Sequence, residues 1–316
     1  MIIIISVLAA LSTIALLTAY ICFRMVFLAG KRRSLGDDEF DLPPGDEYVS
    51  FYPKMKEWII EKRALPCERV SITSFDGLRL NGLYYELFPG GIVEILVHGY
   101  RGTSERDLSA GIERCRKLGR NVLLIDLRGA SESEGKVISF GVNEHKDLLR
   151  WIDYLIEKLG REQKIILTGL SMGAATVMMA AGCRLPENVV CVLADCGFTS
   201  AKDIIRKVIK DMRLPADVFY PFVRLSAKLF GGFSLESSPP IEAVQRATVP
   251  IIFIHGGADS FIPCQMSVEL YEKCASKKKL LIVDGAAHGL SYPIDPEGYI
   301  NALKAFAGEC GFQYFE

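Results

Sequence analysis

A serine stands between two glycines at the end of an apolar run. Residues 166–182 read ILTGLSMGAATVMMAAG, so that Gly169-Leu170-Ser171-Met172-Gly173 joins a strand-like run to a helix-like run. An ordinary strand-to-helix turn needs one glycine. Two of them around a serine point to a backbone that tolerates no side chains beside it. In a strand–turn–helix setting, G-x-S-x-G is a nucleophile elbow: the strained turn puts Oγ in the open at the sheet edge, and the helix N-terminus behind it favours developing negative charge. As five residues alone the pattern is weak, and a glycine-rich packing turn with an idle serine shares it; the setting makes it specific.

A serine hydroxyl needs a base to become a nucleophile. Four histidines are available. His98 lies early in the chain, after a strand and before Gly99. His145 opens a long helical run and reads as a surface residue. His255 ends a strand in HGGAD and reads as a packing residue. His288, in VDGAAHGLSY, follows the last strand-like run on a loop with small neighbours that let it swing toward the elbow, and it is the candidate base. Its bland alternative is a loop histidine making a surface hydrogen bond. The base in turn needs an orienting carboxylate. Asp259, in IIFIHGGADSFIP, follows a strand of its own; Asp195, in LADCGFTS, is the rival and reads as a helix or turn cap. Acyl transfer also needs donors for the oxyanion. The backbone N–H of Met172 is one; the N–H of Tyr100, in EILVHGYRGTS, is the candidate for the other, unless Tyr100 only lines the pocket. Asp126 and Arg128, in LLIDLRGASESEG, read as residues that fix a loop.

These side chains need a sheet to hold them. Apolar runs at 92–97, 121–126, 164–169, 189–194, 250–255 and 279–283 alternate with segments of helical period such as 143–159 and 263–275. That alternation means βαβ units and a mostly parallel sheet. A hairpin around Asp76-Gly77 precedes them, and before it residues 46–63 are helix-like with an interruption at Pro53. One connection is too long. Within 198–240, Ile204, Ile205, Val208, Ile209 and Met212 share one helical face and Lys202, Arg206, Lys210 and Arg213 another. The segment predicts a small helical cap over the C-terminal edge of the sheet, where ligands bind in open α/β sheets. Its basic stripe reads as a solvated face, or more sharply as one resting on anionic headgroups.

Composition narrows the class. The chain has 316 residues, 50% of them hydrophobic and 24% charged, which fits one large folded α/β domain with additions. A net charge of −1 with no basic, aromatic-interleaved stripe gives no case for nucleic acid. Nine cysteines form no C-x-x-C pair, which argues against a zinc site and a disulfide framework and for a reducing compartment. The first 23 residues carry no charge and as helix reach roughly 33 Å, enough to cross a bilayer core. The start lacks the basic residues of a cleaved signal peptide, and the apolar run is longer than such a peptide needs. Arg24, Lys31, Arg32 and Arg33 all follow the run, which by the positive-inside rule leaves the rest of the chain in the cytoplasm.

Through HGYRGTS, DLRGASESEG, GLSMG, HGGADSFIP and GAAHG, over residues 68–310, the chain resembles the α/β-hydrolase superfamily. Among its members it looks most like small bacterial hydrolases related to prolyl-oligopeptidase catalytic domains and to membrane-associated acyl-protein hydrolases. The order Ser171, Asp259, His288 along the chain is also that superfamily's. The resemblance implies an eight-stranded sheet with an antiparallel start, helices on its flanks, and no metal or organic cofactor. It leaves the substrate open. The organisation expected is a transmembrane anchor over 1–30, a linker over 31–46 and an α/β-hydrolase catalytic domain over 47–316 that carries the cap at 198–240. The function expected is a membrane-anchored serine hydrolase acting on a small-molecule acyl ester or acylated substrate. A thioester or short peptide would use the same triad. A membrane-tethered binding protein that kept the fold is the alternative of another class.

Overall fold

The β-branched and leucine-rich runs pair into one sheet. The computed structural model describes residues 1–30, 36 and 38–312; the linker residues 31–35 and 37, with the basic residues Lys31, Arg32 and Arg33, lie outside the described residues, as do 313–316. The strands are β1 (Glu68–Thr73), β2 (Arg79–Tyr85), β3 (Val93–Val97), β4 (Asn121–Ile125), β5 (Ile165–Leu170), β6 (Val189–Asp195), β7 (Ile251–Gly256) and β8 (Lys278–Val283). The helices are α1 (Ile2–Val26), α2 (Asp46–Val49), α3 (Tyr52–Ala64), α4 (Ser104–Lys117), α5 (Glu144–Leu159), α6 (Met172–Ala181), α7 (Ala201–Asp211), α8 (Ala216–Gly231), α9 (Pro240–Ala243), α10 (Gln265–Lys273), α11 (Ser291–Ile294) and α12 (Pro296–Cys310).

The eight strands lie in the order β1-β2-β4-β3-β5-β6-β7-β8. Pairings of β2 with β1 and β4 are antiparallel, and every pairing from β4 through β3 to β8 is parallel. Strands β3 and β4 are buried along their whole length, which is why their sequences are nearly continuous apolar runs. The charged exception is Glu94 of β3. Its fully buried carboxylate pairs with Arg114 and Arg120 and accepts from Thr168 Oγ1 at 2.6 Å. Burial pushes that carboxyl up, but the two guanidinium groups and the hydroxyl outweigh it and hold the group at about 2.

Strand β5 runs into α6 at the elbow, and α7 and α8 fill the long connection between β6 and β7. Three local details differ from the sequence reading. The break before α3 falls at residues 50–51 and Pro53 sits in the first turn, where its missing N–H costs nothing. Met212 lies past the end of α7 and is 53% exposed rather than on the inward face. His145 is buried, its Nδ1 against the Gly141 carbonyl oxygen at 2.8 Å, because the 139–141 loop folds over the start of α5.

Helix α1 is long and apolar enough to cross a membrane. Its first half is exposed, whereas Ala19 and Phe23, with Phe27 just beyond it, are buried in the main core. The chain then continues into the domain: Leu28 bridges Val137, and the Ile138 N–H donates to the Phe27 carbonyl at 2.7 Å. Residues 38–46 also contact the domain. Tyr52 Oη donates to the Pro43 carbonyl at 2.9 Å, and Arg63 donates to the Glu39 carbonyl at 2.8 Å.

Candidate active site

Ser171 caps the N-terminus of α6 with φ +57° and ψ −115°, a left-handed conformation that an L-residue holds only under constraint. The constraint is visible in the flanking glycines. A Cβ on Gly169 would collide with the Gly173 carbonyl, and a Cβ on Gly173 with the Val97 carbonyl. The two glycines let strand, turn and helix close on one another, so the sharp turn is dictated by sequence. The backbone N–H of Met172 opens α6, where no carbonyl four residues back accepts it.

The structure brings Asp259 and His288 together across 29 residues: His288 Nδ1 donates to Asp259 Oδ2 at 2.7 Å. They sit on the loops that follow β7 and β8. Asp259 is a demanding acceptor. Its Oδ1 takes the backbone N–H groups of Phe261 at 2.9 Å and Ile262 at 2.8 Å, and its Oδ2 lies 3.2 Å from His255 Nε2. Burial pushes its carboxyl up, but the bonds from His255 and His288, the His288 charge and the Ile262 N–H together hold it well below the usual carboxylate range. It is thus an ionised acceptor that keeps the proton of His288 on Nδ1 and leaves Nε2 with the ring's lone pair.

His255, read from sequence as packing, is part of this scaffold. Its Nε2 lies 2.8 Å from the Ile262 carbonyl oxygen and its Nδ1 2.6 Å from Ser267 Oγ. A carbonyl can only accept, so Nε2 carries the proton and Nδ1 accepts from the serine. His288 is held from two further sides. Tyr48 Oη donates to the His288 carbonyl at 2.9 Å, and the Phe261 ring meets the imidazole edge-on at 5.1 Å between centroids.

Asp195, the rival acid, points elsewhere. It accepts from Tyr299 Oη at 3.0 Å and Ser291 Oγ at 3.3 Å, in a cavity of about 80 Å³ behind the elbow that Leu96, Gly169 and Leu170 also line. It is not the cap that its sequence position suggested; it ties α11 and α12 under the sheet edge. None of Ser171, Asp259 and His288 lines that cavity.

The next residue, Cys196, was not singled out by the sequence. Its thiol is fully buried beside the backbone of Ser171 and Gly289, and its sulfur, an Asp259 oxygen and a His288 nitrogen all lie within 4.8 Å of one another. Burial and the carboxylates of Asp195 and Asp259 push the thiol well above its usual value. It stays protonated near neutral pH and is no rival nucleophile. The same three donor atoms are close enough to chelate, but the Asp259–His288 hydrogen bond already occupies that geometry.

The loop of Tyr100 is fixed from below and from the side. His98 Nδ1 donates to the Gly99 carbonyl at 2.9 Å while its Nε2 accepts the Leu127 N–H at 3.0 Å, and Asp107 accepts the Gly99 N–H at 3.0 Å. The Tyr100 side chain turns toward α1, with Oη 2.7 Å from the Val26 carbonyl oxygen and its ring 5.2 Å from that of Phe140. Arg101, with φ +52°, donates to the carbonyls of Met25 at 2.8 Å and Leu28 at 2.9 Å. Asp126 accepts the Ser104 N–H at 3.0 Å, and Arg128 joins Asp147 at 2.8 Å to Asp76 at 3.0 Å, so both hold loops.

A family model described as the alpha/beta hydrolase fold matches residues 95–238. The Bacillus subtilis protein YqkD is 30% identical over 190 residues, which cover 60% of this chain and 62% of that relative's length. An esterase of Pyrococcus furiosus superposes with a TM-score of 0.66 at 21% identity, covering 90% of this chain and 98% of that one. An acylaminoacyl peptidase of Pyrococcus horikoshii gives 0.55 at 16% identity, covering 81% of this chain and 44% of that one.

Proposed function

From a chain with the α/β-hydrolase fold, we propose a membrane-anchored serine hydrolase that cleaves carboxylic esters through an acyl-enzyme. The observations that carry this reading are a strained Ser171 at φ +57° past the end of β5 and an Asp259–His288 hydrogen bond of 2.7 Å on the loops that follow β7 and β8. Ser171 Oγ attacks the ester carbonyl as His288 Nε2 takes its proton. Asp259 stabilises the imidazolium that forms. The N–H groups of Met172 and Tyr100 receive the oxyanion. His288 then gives the proton to the departing alkoxide, and a water, deprotonated by the same imidazole, releases the acid and regenerates the serine.

Retention of α1 as the anchor is supported by packing. Cleavage after the apolar run would strip Phe23 from a core in which it is 7% exposed. The cytoplasmic orientation rests on Arg24, Lys31, Arg32 and Arg33 and on nine cysteines that are all free. The test is a panel of acyl esters of graded chain length, with acyl thioesters and aminoacyl amides, assayed on the full chain and on Ser171→Ala. Ester turnover that Ser171→Ala abolishes supports the reading. Turnover of amides alone would move the chain to peptidase chemistry, and ester turnover that survives Ser171→Ala would overturn it.

A further inference from the structure

Helix α8 is the element on which α1 packs. The inward residues of α1 begin at Ala15 and recur at Thr18, Ala19, Cys22, Phe23 and Val26, a helical stripe. Residues 2–14 stand clear of the domain. As helix those residues reach only about 20 Å, against the roughly 30 Å of a bilayer core, which takes about 20 residues. An α1 that crosses must therefore use its length to about Ile21, and the stretch from Ala15 to Ile21 that reaches the hydrocarbon boundary is the stretch packed on the domain. Tyr20, an aromatic residue of the kind that favours the interface, touches Phe230 of α8 at 5.4 Å between ring centroids, and Arg24 follows one turn later.

The outward face of α8 fits that depth. Val218, Pro221, Leu225 and Leu229 are exposed at i, i+3, i+7 and i+11, with Phe222 half-buried among them. Val218 is 55%, Leu225 41% and Leu229 51% exposed, and Met212 and Leu214 extend the apolar surface across the turn from α7. Exposed Arg224 and Lys228 border the stripe. An exposed apolar stripe edged with cations is the pattern of a helix lying in the headgroup–acyl boundary.

We propose that the outer face of α8 is a second membrane contact, seated in the interface of the bilayer that α1 crosses. This rests on the anchor reading above. It gives the acyl substrate a source. The rings of Tyr20, Phe230, Phe23, Phe27, Phe140 and Tyr100 form an unbroken chain of contacts between 5.2 and 6.1 Å from the lipid-facing helix to the oxyanion loop. A hydrolase held this way takes its ester from the membrane surface.

The two native tryptophans, Trp58 and Trp151, are 5% and 1% exposed, so an introduced tryptophan can report its own surroundings. The full chain carrying Leu225→Trp, Leu8→Trp or Arg150→Trp is reconstituted into phosphatidylcholine–phosphatidylglycerol vesicles with and without brominated acyl chains. Leu225→Trp should lose about half its added fluorescence to the brominated lipid, Leu8→Trp at least as much, and Arg150→Trp almost none. Quenching at residue 8 without quenching at 225 overturns the α8 contact and leaves the anchor standing. Quenching at neither overturns the anchor, and the α8 contact with it. Quenching at 225 alone removes the crossing from which the depth of α8 was argued, and overturns the proposal. Equal quenching at residue 150 means adsorption without orientation and overturns the proposal.

Discussion

The hydroxyl of Tyr100 donates to the carbonyl oxygen of Val26 at 2.7 Å, so the loop proposed to offer an oxyanion donor is bonded to the last turn of the apolar N-terminal helix. Arg101 adds donations to Met25 and Leu28. The carbonyls of Met25 and Val26 are ones that a helix end leaves without intrahelical partners, that of Leu28 lies just past the end, and the loop supplies the donors. The N-terminal helix thus supports the loop of Tyr100 and Arg101. Deleting residues 1–14 should leave kcat for a soluble short-chain ester within about threefold. Deleting 1–29 removes Phe23, Phe27 and all three acceptors, and should lower Tm steeply and cut kcat at least tenfold. A 1–29 deletion with unchanged melting and kcat would show the contact to be idle. Within the full chain, Phe27→Ala should cost about 3–5 kcal/mol in denaturant unfolding.

The proposed triad gives the two carboxylates different roles. Asp259→Asn keeps the shape but loses the charge that stabilises the imidazolium. In the general serine-protease case the equivalent change lowers kcat about 10⁴-fold. On that scale Asp259→Asn should cut kcat by on the order of 10²–10⁴ with little change in KM. Asp195→Asn still accepts from Tyr299, and should cost about 0.5–1.5 kcal/mol of stability with kcat nearly unchanged. Steady-state hydrolysis of one activated ester, with thermal melts alongside, distinguishes them; an inactive Asp195→Asn with an active Asp259→Asn would reassign the acid.

The elbow glycines act through sterics alone. Gly173→Ala drives a methyl into the Val97 carbonyl, and backbone cannot yield as a side-chain tip can. Melting should show a loss of about 1–3 kcal/mol or more, with kcat falling because Ser171 is displaced. A variant that melts and turns over like wild type would remove the close approach from the account.

The buried carboxylate of β3 makes stability depend on acid pH. Glu94 is held at about 2 in the folded chain against an ordinary value of 4.5. A depressed carboxylate contributes stability that is fully present above the unfolded value and is lost as pH falls through the folded one. Chemical denaturation from pH 5 to 2 should therefore show a steep loss. Glu94→Gln should flatten that slope, and it should cost about 3–5 kcal/mol at pH 7 because Arg114 and Arg120 stay buried and charged. An unchanged slope in Glu94→Gln would move the acid sensitivity to another group.

Much of this was legible in the sequence because it is local. Each parallel strand announced itself as an apolar run, and the elbow needed only five residues whose glycines the close approaches explain. The positions of the candidates Ser171, Asp259 and His288 were readable because each lies just past a strand, on the edge where a parallel sheet gathers its loops. What stayed hidden depends on contacts between distant segments. Tyr48 supports His288 from 240 residues away, and no period or motif announces such a bond. The bond from His255 to Asp259 was within reach, since the two are four residues apart, but a histidine ending a strand looks the same whether it packs or donates. Cys196 gave no signal because its position beside Ser171 follows from β6 lying next to β5. The docking of α1 on α8 was invisible for a different reason: an apolar helix reads the same whether lipid or protein covers its last turns.

The most direct test of the central claim is covalent labelling of the full chain with a fluorophosphonate, read by intact mass and peptide mapping. The account predicts one adduct per chain, on the peptide carrying Ser171, with no adduct on Ser171→Ala and strongly slowed labelling of Asp259→Asn and His288→Ala. An adduct that persists on Ser171→Ala, or a folded wild-type chain that never labels, would contradict it.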